Sequence, residues 1–321
     1  MRILHVADIH ITLHKKKIPY EWQTNRFKML FDKLLELEKD CDVTVLAGDI
    51  FDRKPEPDEI CLFLSYANSV TKPTLGIPGN HEASTKGNTF LEHFEADHAI
   101  NNPNFILKTK NTRVEIQGQG FQLFPYGEMQ VGNIPEYVAG DILVAHIRGE
   151  VPPHITAEFD FDKIAKWPLT LIGDLHFRHK YKDYPVYYSG SPINTTFDRE
   201  ENREYGVNII TIDPNNSSNY TVDFVDLKLP KLIRKTVDVD TELKSDPYHH
   251  IVYEVTGSID KLSKIKNHEL LDKKIAEKPS ENSALNLVDK TLVEELELYL
   301  DYIKVENKDK VLKLFNKLGI K

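Results

Sequence analysis

The sequence has 321 residues, a formal net charge of −9 and a hydrophobic fraction of 40%. This length can bury a large core in one sizeable domain with a smaller one, and the negative charge requires any nucleic-acid binding to come from local basic clusters or bound metal. Because no run approaches the roughly 18 apolar residues of a membrane span and no signal segment opens the chain, we expect a cytoplasmic protein without a membrane partner.

Five apolar runs along the chain each end on side chains of the types that bind metals. Continuous apolar runs are typical of strands buried on both faces, and open α/β sheets bind ligands just beyond the carboxyl ends of their strands. Five such ends carrying Asp, His and Asn predict one converging metal site in an α/β fold. The runs are residues 3–10, 43–52, 75–82, 142–146 and 169–176.

The first run predicts a strand over residues 2–7, followed by Asp8 and His10. Side chains alternate in an extended segment, so these two point the same way and one metal can take both. Such a pair alone more often caps a turn, and its repetition at other strand ends favours a ligand role. A basic run then follows, which is either a solvated surface or a contact to backbone phosphates. Its members are Lys15, Lys16 and Lys17.

The second run follows an amphipathic crossover helix predicted over residues 24–39. Its strand ends at Asp49, and a carboxylate at the end of a buried strand is costly unless a cation or hydrogen-bond donors compensate it. Asp49 is therefore a predicted ligand, and Asp52 in the same loop is a candidate catalytic residue. Pro57 suits the first position of a second helix. The cysteines have no CxxC spacing and are predicted to be buried or half-buried free thiols: Cys41 and Cys61.

The third run ends on Gly79, Asn80 and His81, and each residue type has a physical role in such a turn. Glycine permits a tight bend, the asparagine amide oxygen can bind a hard metal without adding charge, and histidine suits proton transfer near neutral pH. Gly-Asn is common turn chemistry by itself. After the two preceding strand ends, the tripeptide predicts a functional turn.

Signals fade over residues 85–140, where a helical segment at residues 90–98 places His93 and His98 at the surface by our interpretation. Two further predicted strands then end on His146 and on a segment with two more ligand types. Arginines near these ends and near the second strand end are candidate phosphate contacts. The further ligand types are Asp174 and His176, and the arginines are Arg53, Arg148 and Arg178.

In this order and spacing, the motifs DxH, GDxxD, GNHE, an isolated His and a last pair at the GHxH position resemble the signature of the calcineurin-like metallophosphoesterases. The segments GDIFDR, GIPGNHE and YSGSP are similar to one branch, the SbcD nuclease subunits of DNA double-strand-break repair, counterparts of the Mre-eleven nucleases. The resemblance covers about residues 1–230. It implies an α/β fold of four layers, two mixed β-sheets flanked by helices.

The resemblance also implies a two-metal site in which His81 protonates the leaving oxygen. Two cations would lower the pKa of a bridging water and clamp the phosphate, and oxygen and imidazole donors without thiolate fit two Mn²⁺ per chain, or Mg²⁺. The implied ligands are Asp8, His10 and His176 for one metal, Asn80, His146 and Asp174 for the other, and Asp49 bridging both.

One position departs from the family pattern, because Gly173-Asp174-Leu175-His176 stands where the family has GHxH. Asp174 adds a third carboxylate to the site, which should favour harder cations over zinc. A rival alignment, in which His176 and His179 form the last pair, remains open.

The rest of the chain predicts a small α+β appendage, a polar linker over residues 278–286 and two amphipathic helices. The helices alone could pack on their own domain. In the family the appendage caps the site and shapes the DNA path, C-terminal helices hold the coiled coil of an SbcC-type ATPase, and a homodimer forms. The implied domains are residues 1–229 (nuclease), 230–278 (cap) and 279–321 (linker and partner helices), with the helices at 291–303 and 311–318.

Three functions are consistent with these residues. The resemblance favours a Mn²⁺-dependent DNA nuclease subunit of an ATPase complex, acting as a 3′ to 5′ exonuclease and a single-strand endonuclease. A phosphoesterase for small molecules or phosphoproteins is an alternative, since a fold does not determine its substrate. The other alternative is a catalytically silent scaffold subunit.

Overall fold

The computed structural model describes residues 1–84, 87–96, 100–151, 155–213, 216–276, 287, 290–305 and 307–317. The chain forms two compact units, Met1–Lys235 with Leu243–Tyr253, and Thr236–Glu242 with Glu254–Lys321. The predicted linker at 278–286 and the predicted surface residue His98 lie outside the described residues.

The strands form two six-stranded sheets and one three-stranded sheet among the described residues. In chain order they are β1 (Arg2–Val6), β2 (Val43–Ala47), β3 (Thr74–Ile77), β4 (Phe105–Leu107), β5 (Thr112–Ile116), β6 (Gln119–Phe124), β7 (Ile142–His146), β8 (Thr170–Gly173), β9 (His179–Lys180), β10 (Val186–Tyr188), β11 (Gly206–Asp213), β12 (Asn216–Asp226), β13 (Leu232–Asp238), β14 (His250–Gly257) and β15 (Leu271–Ala276).

The first sheet has the order β12-β11-β1-β2-β3-β4, the second β5-β6-β7-β8-β10-β9 and the third β13-β14-β15. Strands β1 to β4 are parallel, and β11 and β12 join them antiparallel. In the second sheet β6, β7, β8 and β10 are parallel, with antiparallel strands at both edges. Both large sheets are therefore mixed, as predicted, and the carboxyl ends of their parallel strands carry the predicted ligands.

The helices include the two predicted crossover helices, and the second begins at Pro57 as expected. None of the described helices combines the length and apolar composition needed to span a bilayer. They are α1 (Tyr20–Glu38), α2 (Pro57–Ser69), α3 (Glu92–Ala96), α4 (Tyr126–Gln130), α5 (Ile259–Lys264), α6 (Leu292–Tyr302) and α7 (Lys308–Lys317), with a 3₁₀-helix at Phe161–Ile164.

Three apolar clusters separate the layers of the first unit. Leu4 on β1 faces α1 and α2, whereas its neighbour Ile3 faces the second sheet, as expected from the alternation of side chains along a strand. On β7, Val144 faces the first sheet and Leu143 faces outward against Trp167. The predicted four-layer α/β fold is confirmed, with a 3₁₀-helix and loops in the outer layer of the second sheet.

Smaller predictions can also be compared with the structure. Cys41 and Cys61 are free thiols, as predicted, but only Cys41 is buried, and the predicted burial of Cys61 is wrong because this residue is exposed on α2. Burial raises the pKa of Cys41 to about 11. His93 is exposed on α3, also as predicted. The predicted appendage contains β13, β14, α5 and β15, and the predicted C-terminal helices are α6 and α7. A capping role for the appendage stays a prediction.

Candidate metal centre

The predicted ligands converge at the carboxyl ends of five parallel strands. Asp8 and His10 follow β1, Asp49 follows β2, Asn80 and His81 follow β3, His146 ends β7 and His176 follows β8. Three groups of side chains each offer donor atoms that lie within 4.8 Å of one another. The groups are Asp8 with His10 and His176, His10 with Asp49 and His81, and Asp8 with Asp49 and His146.

Strained loop backbone presents these donors. Asp8, His10, Asp49 and Asp174 have φ values of 54°, 51°, 51° and 113°, in a region that side-chain-bearing residues rarely adopt. Such conformations persist only where surrounding bonds hold them, and they concentrate at functional sites. Here the loops hold each other, since the amide of Asp8 donates to Gly48 O at 3.1 Å and that of His10 to Asp49 O at 2.9 Å.

Two glycines allow the loops to come this close. Gly48 has a φ of 90°, and a Cβ added there would clash with the ring of His146. A Cβ added at Gly79 would clash with both the amide and the Oδ1 atom of Asp49. The glycines of the two motifs are therefore required by the approach of ligand side chains to backbone.

His146 lies in a field that attracts cations. Its Nδ1 donates to Ala47 O at 2.8 Å, which leaves Nε2 to face Asn80 Oδ1 at 2.8 Å and Asp49 Oδ1 at 3.5 Å. Burial alone would lower the pKa of His146, but the carboxylates of Asp49, Asp8 and Asp174 outweigh it and raise this pKa to about 10. The same carboxylates would stabilise a bound metal cation at this position.

His10 and the nearby carboxylates fit a divalent metal. The His10 side chain is 1% exposed, yet neither ring nitrogen has a hydrogen-bond partner among the described residues, and Nε2 lies 3.4 Å from Asp49 Oδ2. Burial opposes ionisation of Asp49, but His146 and His10 outweigh it and hold its pKa below the ordinary value. Burial raises the pKa of Asp8. Unpartnered imidazole nitrogens beside buried carboxylates indicate that these residues can hold a cation.

His81 lies at the open side of this centre, with a side chain that is 37% exposed. Its Nδ1 donates to Asp52 O at 2.6 Å, so Nε2 remains available, 3.9 Å from Asp49 Oδ2. The Asp52 carboxylate lies 3.5 Å from His10 Nδ1, and this contact with His10 lowers the pKa of Asp52. The arrangement fixes the tautomer of His81 and orients His10.

Asp174 is held by an arginine, which the sequence did not indicate. Arg148 forms a two-point ion pair with it, Nε to Oδ2 at 2.6 Å and Nη2 to Oδ1 at 2.8 Å, and also contacts Glu158 at 3.1 Å. The Oδ1 atom lies 4.0 Å from His146 Nε2. Asp174 therefore lies beside the donor groups without belonging to those found among the described residues. Arg148, a predicted phosphate contact, is engaged by two carboxylates.

The two histidines of the rival alignment lie in different surroundings. His176 belongs to a donor group with Asp8 and His10, its Nδ1 lies 3.2 Å from Thr195 Oγ1, and burial lowers its pKa to about 4. His179 lies on edge strand β9 against the Tyr181 ring, and the donor groups of the described chain do not include it. The structure thus brings His176 but not His179 to the centre.

Sequence reasoning missed Glu82, which follows the predicted turn directly. This side chain is 0% exposed, and its carboxylate accepts the Phe51 amide at 2.6 Å and the Gly79 amide at 2.8 Å. Burial and the neighbouring Asp49 raise its pKa to about 8. Glu82 therefore joins the loops after β2 and β3. The position of an acidic residue directly after Gly-Asn-His was the sequence signal from which this role could have been predicted.

The predicted phosphate-binding cations differ in exposure and in the groups that they contact. Lys15 donates to Thr195 O at 2.6 Å, and Arg53 pairs with buried Glu59 at 3.1 Å. Arg178 lies against an aromatic ring, and two further lysines are exposed in the loop after β1. These exposed lysines are Lys16 and Lys17.

The chain is similar in sequence or in structure to several known proteins. The chain is 35% identical over 308 residues to the "Probable exonuclease subunit 1" of Escherichia phage T5, covering 93% of this chain and 92% of that protein. A crystal structure of a Thermus thermophilus protein aligns with a TM-score of 0.42 at 12% identity, over 70% of this chain and 98% of that one. Zinc-bound Vps29 of Entamoeba histolytica aligns with a TM-score of 0.33 at 11% identity, over 71% and 100%.

The family model described as calcineurin-like phosphoesterase matches residues 1–210. This range contains both large sheets up to β11 and all five strand ends that carry the donor side chains. The chain belongs to the calcineurin-like phosphoesterase family, as its strand-end motifs predicted.

Proposed function

We propose that this chain is the nuclease subunit of a DNA-processing complex, hydrolysing phosphodiester bonds at a centre of two Mn²⁺ ions. One observation carries the proposal: the two carboxylate oxygens of Asp49 face different histidines, Oδ2 at 3.4 Å from His10 Nε2 and Oδ1 at 3.5 Å from His146 Nε2. Oxygen and imidazole donors suit Mn²⁺ or Mg²⁺. The exonuclease name of the phage T5 relative supports DNA as the substrate.

In this proposal each side chain of the centre has a distinct role. When bound, the two cations would activate a water and stabilise the charge that develops on the phosphate. His81 donates Nδ1–H to Asp52 O, and in its imidazolium form it transfers the Nε2 proton to the leaving oxygen. The proposed ligands are Asp8, His10 and His176 on one side and Asn80 and His146 on the other, with Asp49 between them and Asp174 beside His146.

The substrate side of the proposal follows the SbcD resemblance of the motifs. We propose 3′ to 5′ exonuclease activity on duplex ends and endonuclease activity on single strands. The exposed cations near the centre would contact backbone phosphates, which fix the register of a strand without reading its sequence. These are Lys16, Lys17 and Arg178, with the half-buried Lys15, Arg53 and Arg148 as further proposed contacts.

The partner side of the proposal rests on α6 and α7. Four large apolar side chains on or directly after α6 are between 44% and 58% exposed, and Leu314 on α7 is 58% exposed. Apolar side chains exposed together commonly mark a protein interface. We assign this surface to the coiled coil of an SbcC-type ATPase, and a homodimer of the nuclease units completes the proposed complex. The four on or after α6 are Leu292, Tyr299, Tyr302 and Ile303.

The deciding experiment measures cleavage of end-labelled duplex DNA by the purified chain with Mn²⁺ and with EDTA, using His81→Ala beside the wild type. We expect Mn²⁺-dependent release of mononucleotides. The variant should bind DNA as the wild type does and cleave it at least about 100-fold more slowly, because it lacks the general acid.

Two other results would replace the proposal. A wild type that spares DNA but hydrolyses bis-p-nitrophenyl phosphate would identify a phosphoesterase for another substrate. A wild type that binds DNA, shows no hydrolysis of either substrate and takes up no Mn²⁺ in a calorimetric titration would identify a scaffold subunit.

A further inference from the structure

A basic cleft of about 440 Å³ lies beside the metal centre and belongs to no donor group described above. One wall comes from β9 and β10 of the second sheet and the other from β12 of the first sheet. Its lining residues are Arg178, His179, Lys180, Tyr187, Tyr220 and Val222.

The cleft concentrates positive charge in a protein that is acidic as a whole. Its lining contains two cations and no carboxylate. The side chains of Arg178 and Lys180 are exposed and form no ion pair or hydrogen bond with any described residue. By contrast, Arg113 pairs with Asp141 and Arg148 with Asp174. The two cleft cations therefore keep their full capacity to bind an anion.

Aromatic rings hold both cations in place without neutralising them. The Arg178 guanidinium lies 5.1 Å from the centroid of the Phe224 ring, and the Lys180 ammonium lies 5.3 Å from that of Tyr187. A ring face attracts a cation but leaves its N–H groups available on the other side. The cleft thus offers pre-oriented donors, which reduces the entropy lost when an anion binds.

The chain connects the cleft to the metal centre through a single short segment. Arg178 follows His176 by two residues, which limits the separation of their Cα atoms to about 7 Å. His176 shares a donor group with Asp8 and His10. A strand whose scissile phosphate lies at the centre therefore passes within reach of Arg178.

We propose that this cleft is a subsite for a backbone phosphate of the nucleic-acid strand bound at the metal centre. In this subsite Arg178 and Lys180 contact the phosphate. The inference rests on the proposed nuclease function and adds where the strand runs. Two cations without carboxylates suit a phosphodiester, since phosphate contacts dominate the affinity of strand binding. The aromatic floor gives the strand an apolar surface beside the phosphate.

The test compares three full-length proteins, the wild type, Arg178→Ala/Lys180→Ala and the control Lys28→Ala/Lys39→Ala. The control removes the same charge from exposed positions on and just after α1. Binding of a fluorescent duplex is measured by anisotropy in EDTA, where no cleavage occurs, at several salt concentrations. Hydrolysis of bis-p-nitrophenyl phosphate with Mn²⁺ and the thermal midpoint verify that the centre and the fold are intact.

The cleft variant should bind the duplex roughly tenfold more weakly at low salt. Its plot of log affinity against log salt should be less steep by about 0.9, since one phosphate is no longer neutralised and each phosphate contributes about 0.9 to the slope. The control should match the wild type in affinity, in salt dependence and in hydrolysis of the small phosphodiester.

Each other outcome is decisive. A cleft variant with wild-type affinity and salt dependence would overturn the subsite while leaving the nuclease proposal intact. Equal losses in the cleft variant and the control would reduce the effect to overall charge and also overturn it. A wild type that binds no DNA at any salt concentration would instead refute the DNA substrate itself, and the subsite with it.

Discussion

The two large sheets contribute to the same metal centre, but they hold their ligands by different means. In the first sheet, buried Glu82 joins the loops after β2 and β3 through the amides of Phe51 and Gly79. In the second sheet, Asp174 is held by the guanidinium of Arg148. The loops of the first sheet are therefore fixed by buried hydrogen bonds from backbone amides to one carboxylate. Those of the second sheet are fixed by one ion pair, whose arginine is 34% exposed.

The two sheets therefore contribute different properties to the centre: the first fixes its loop geometry, and the second changes its charge. Bonds from Glu82 to backbone amides set the loop geometry whether or not a metal is bound, because they involve no ligand atom. The Arg148 pair instead competes for a carboxylate that lies 4.0 Å from His146 Nε2. The first sheet should thus determine the position of the centre, and the second should tune its affinity for cations.

The largest expected effect comes from Asp49, the residue that both halves share. Asp49→Asn keeps the shape of the side chain but removes the charge between the two donor sets, so Mn²⁺ affinity should fall by more than the roughly 10- to 100-fold typical of residues that only orient ligands. Titration calorimetry measures this affinity. Asp52→Asn, which alters a carboxylate 3.5 Å from His10 Nδ1 and outside the donor groups, is the matched control and should remain within that range. Equal losses would show that Asp49 is not shared.

Removing the Glu82 carboxylate should lower both the stability of the protein and its affinity for Mn²⁺. Glu82→Leu leaves the amides of Phe51 and Gly79 without their acceptor, at about 1–3 kcal/mol each, and Glu82→Gln should lose less because it keeps one acceptor. Chemical denaturation gives the free energy of unfolding, and Mn²⁺ affinity should fall about 10- to 100-fold.

The control for this prediction is Glu38→Leu, which also deletes a buried carboxylate that accepts a backbone amide, that of Thr71 at 2.8 Å. It should lower stability without changing Mn²⁺ affinity, because Glu38 lies at the end of α1, away from the donor groups. A Glu82→Leu variant with unchanged Mn²⁺ affinity would contradict the role assigned to the first sheet.

Arg148→Gln should have the opposite effect on metal binding, because it lowers stability but strengthens the interaction with Mn²⁺. Loss of the two-point pair leaves Asp174 uncompensated and costs roughly 2 kcal/mol of stability without metal. The freed carboxylate should at the same time increase the rise in thermal midpoint that Mn²⁺ produces. Arg113→Gln breaks a similar two-point pair with Asp141, with N to O distances of 2.6 and 3.0 Å, and should lower stability alone. Identical metal responses in both variants would show that Arg148 does not tune the site.

These contrasts also mark what the sequence could and could not predict. The strand ends were predictable, because apolar runs and the residues that follow them are local features, and the donor types at Asp8, Asp49 and His146 came with them. The pairing of Arg148 with Asp174 was not, because the partner of a charged side chain depends on which loops meet in the fold. The two residues were therefore predicted separately, one as a phosphate contact and the other as a ligand.

The smallest effect expected concerns His5, on β1 within the core beneath the centre. His5 is 0% exposed, and burial lowers its pKa from 6.5 to about 3. Below pH 6.5 the unfolded chain takes up a proton at this residue and the folded chain does not, so stability falls as the pH decreases toward 3. At pH 5 this contribution should be lower than at pH 7 by roughly 2 kcal/mol.

His5→Leu removes the titrating group and keeps an apolar side chain of similar size, so the test is a difference between two proteins. Denaturation midpoints at pH 7 and pH 5 should move less in the variant than in the wild type. The raised pKa values of Asp8 and Glu82 act in the opposite direction and are present in both proteins, so they cancel in this comparison. An equal shift in both proteins would mean that folded His5 takes up a proton between pH 7 and pH 5 as readily as the unfolded chain does. In that case the surroundings of His5 on β1 would be more polar than its complete burial indicates.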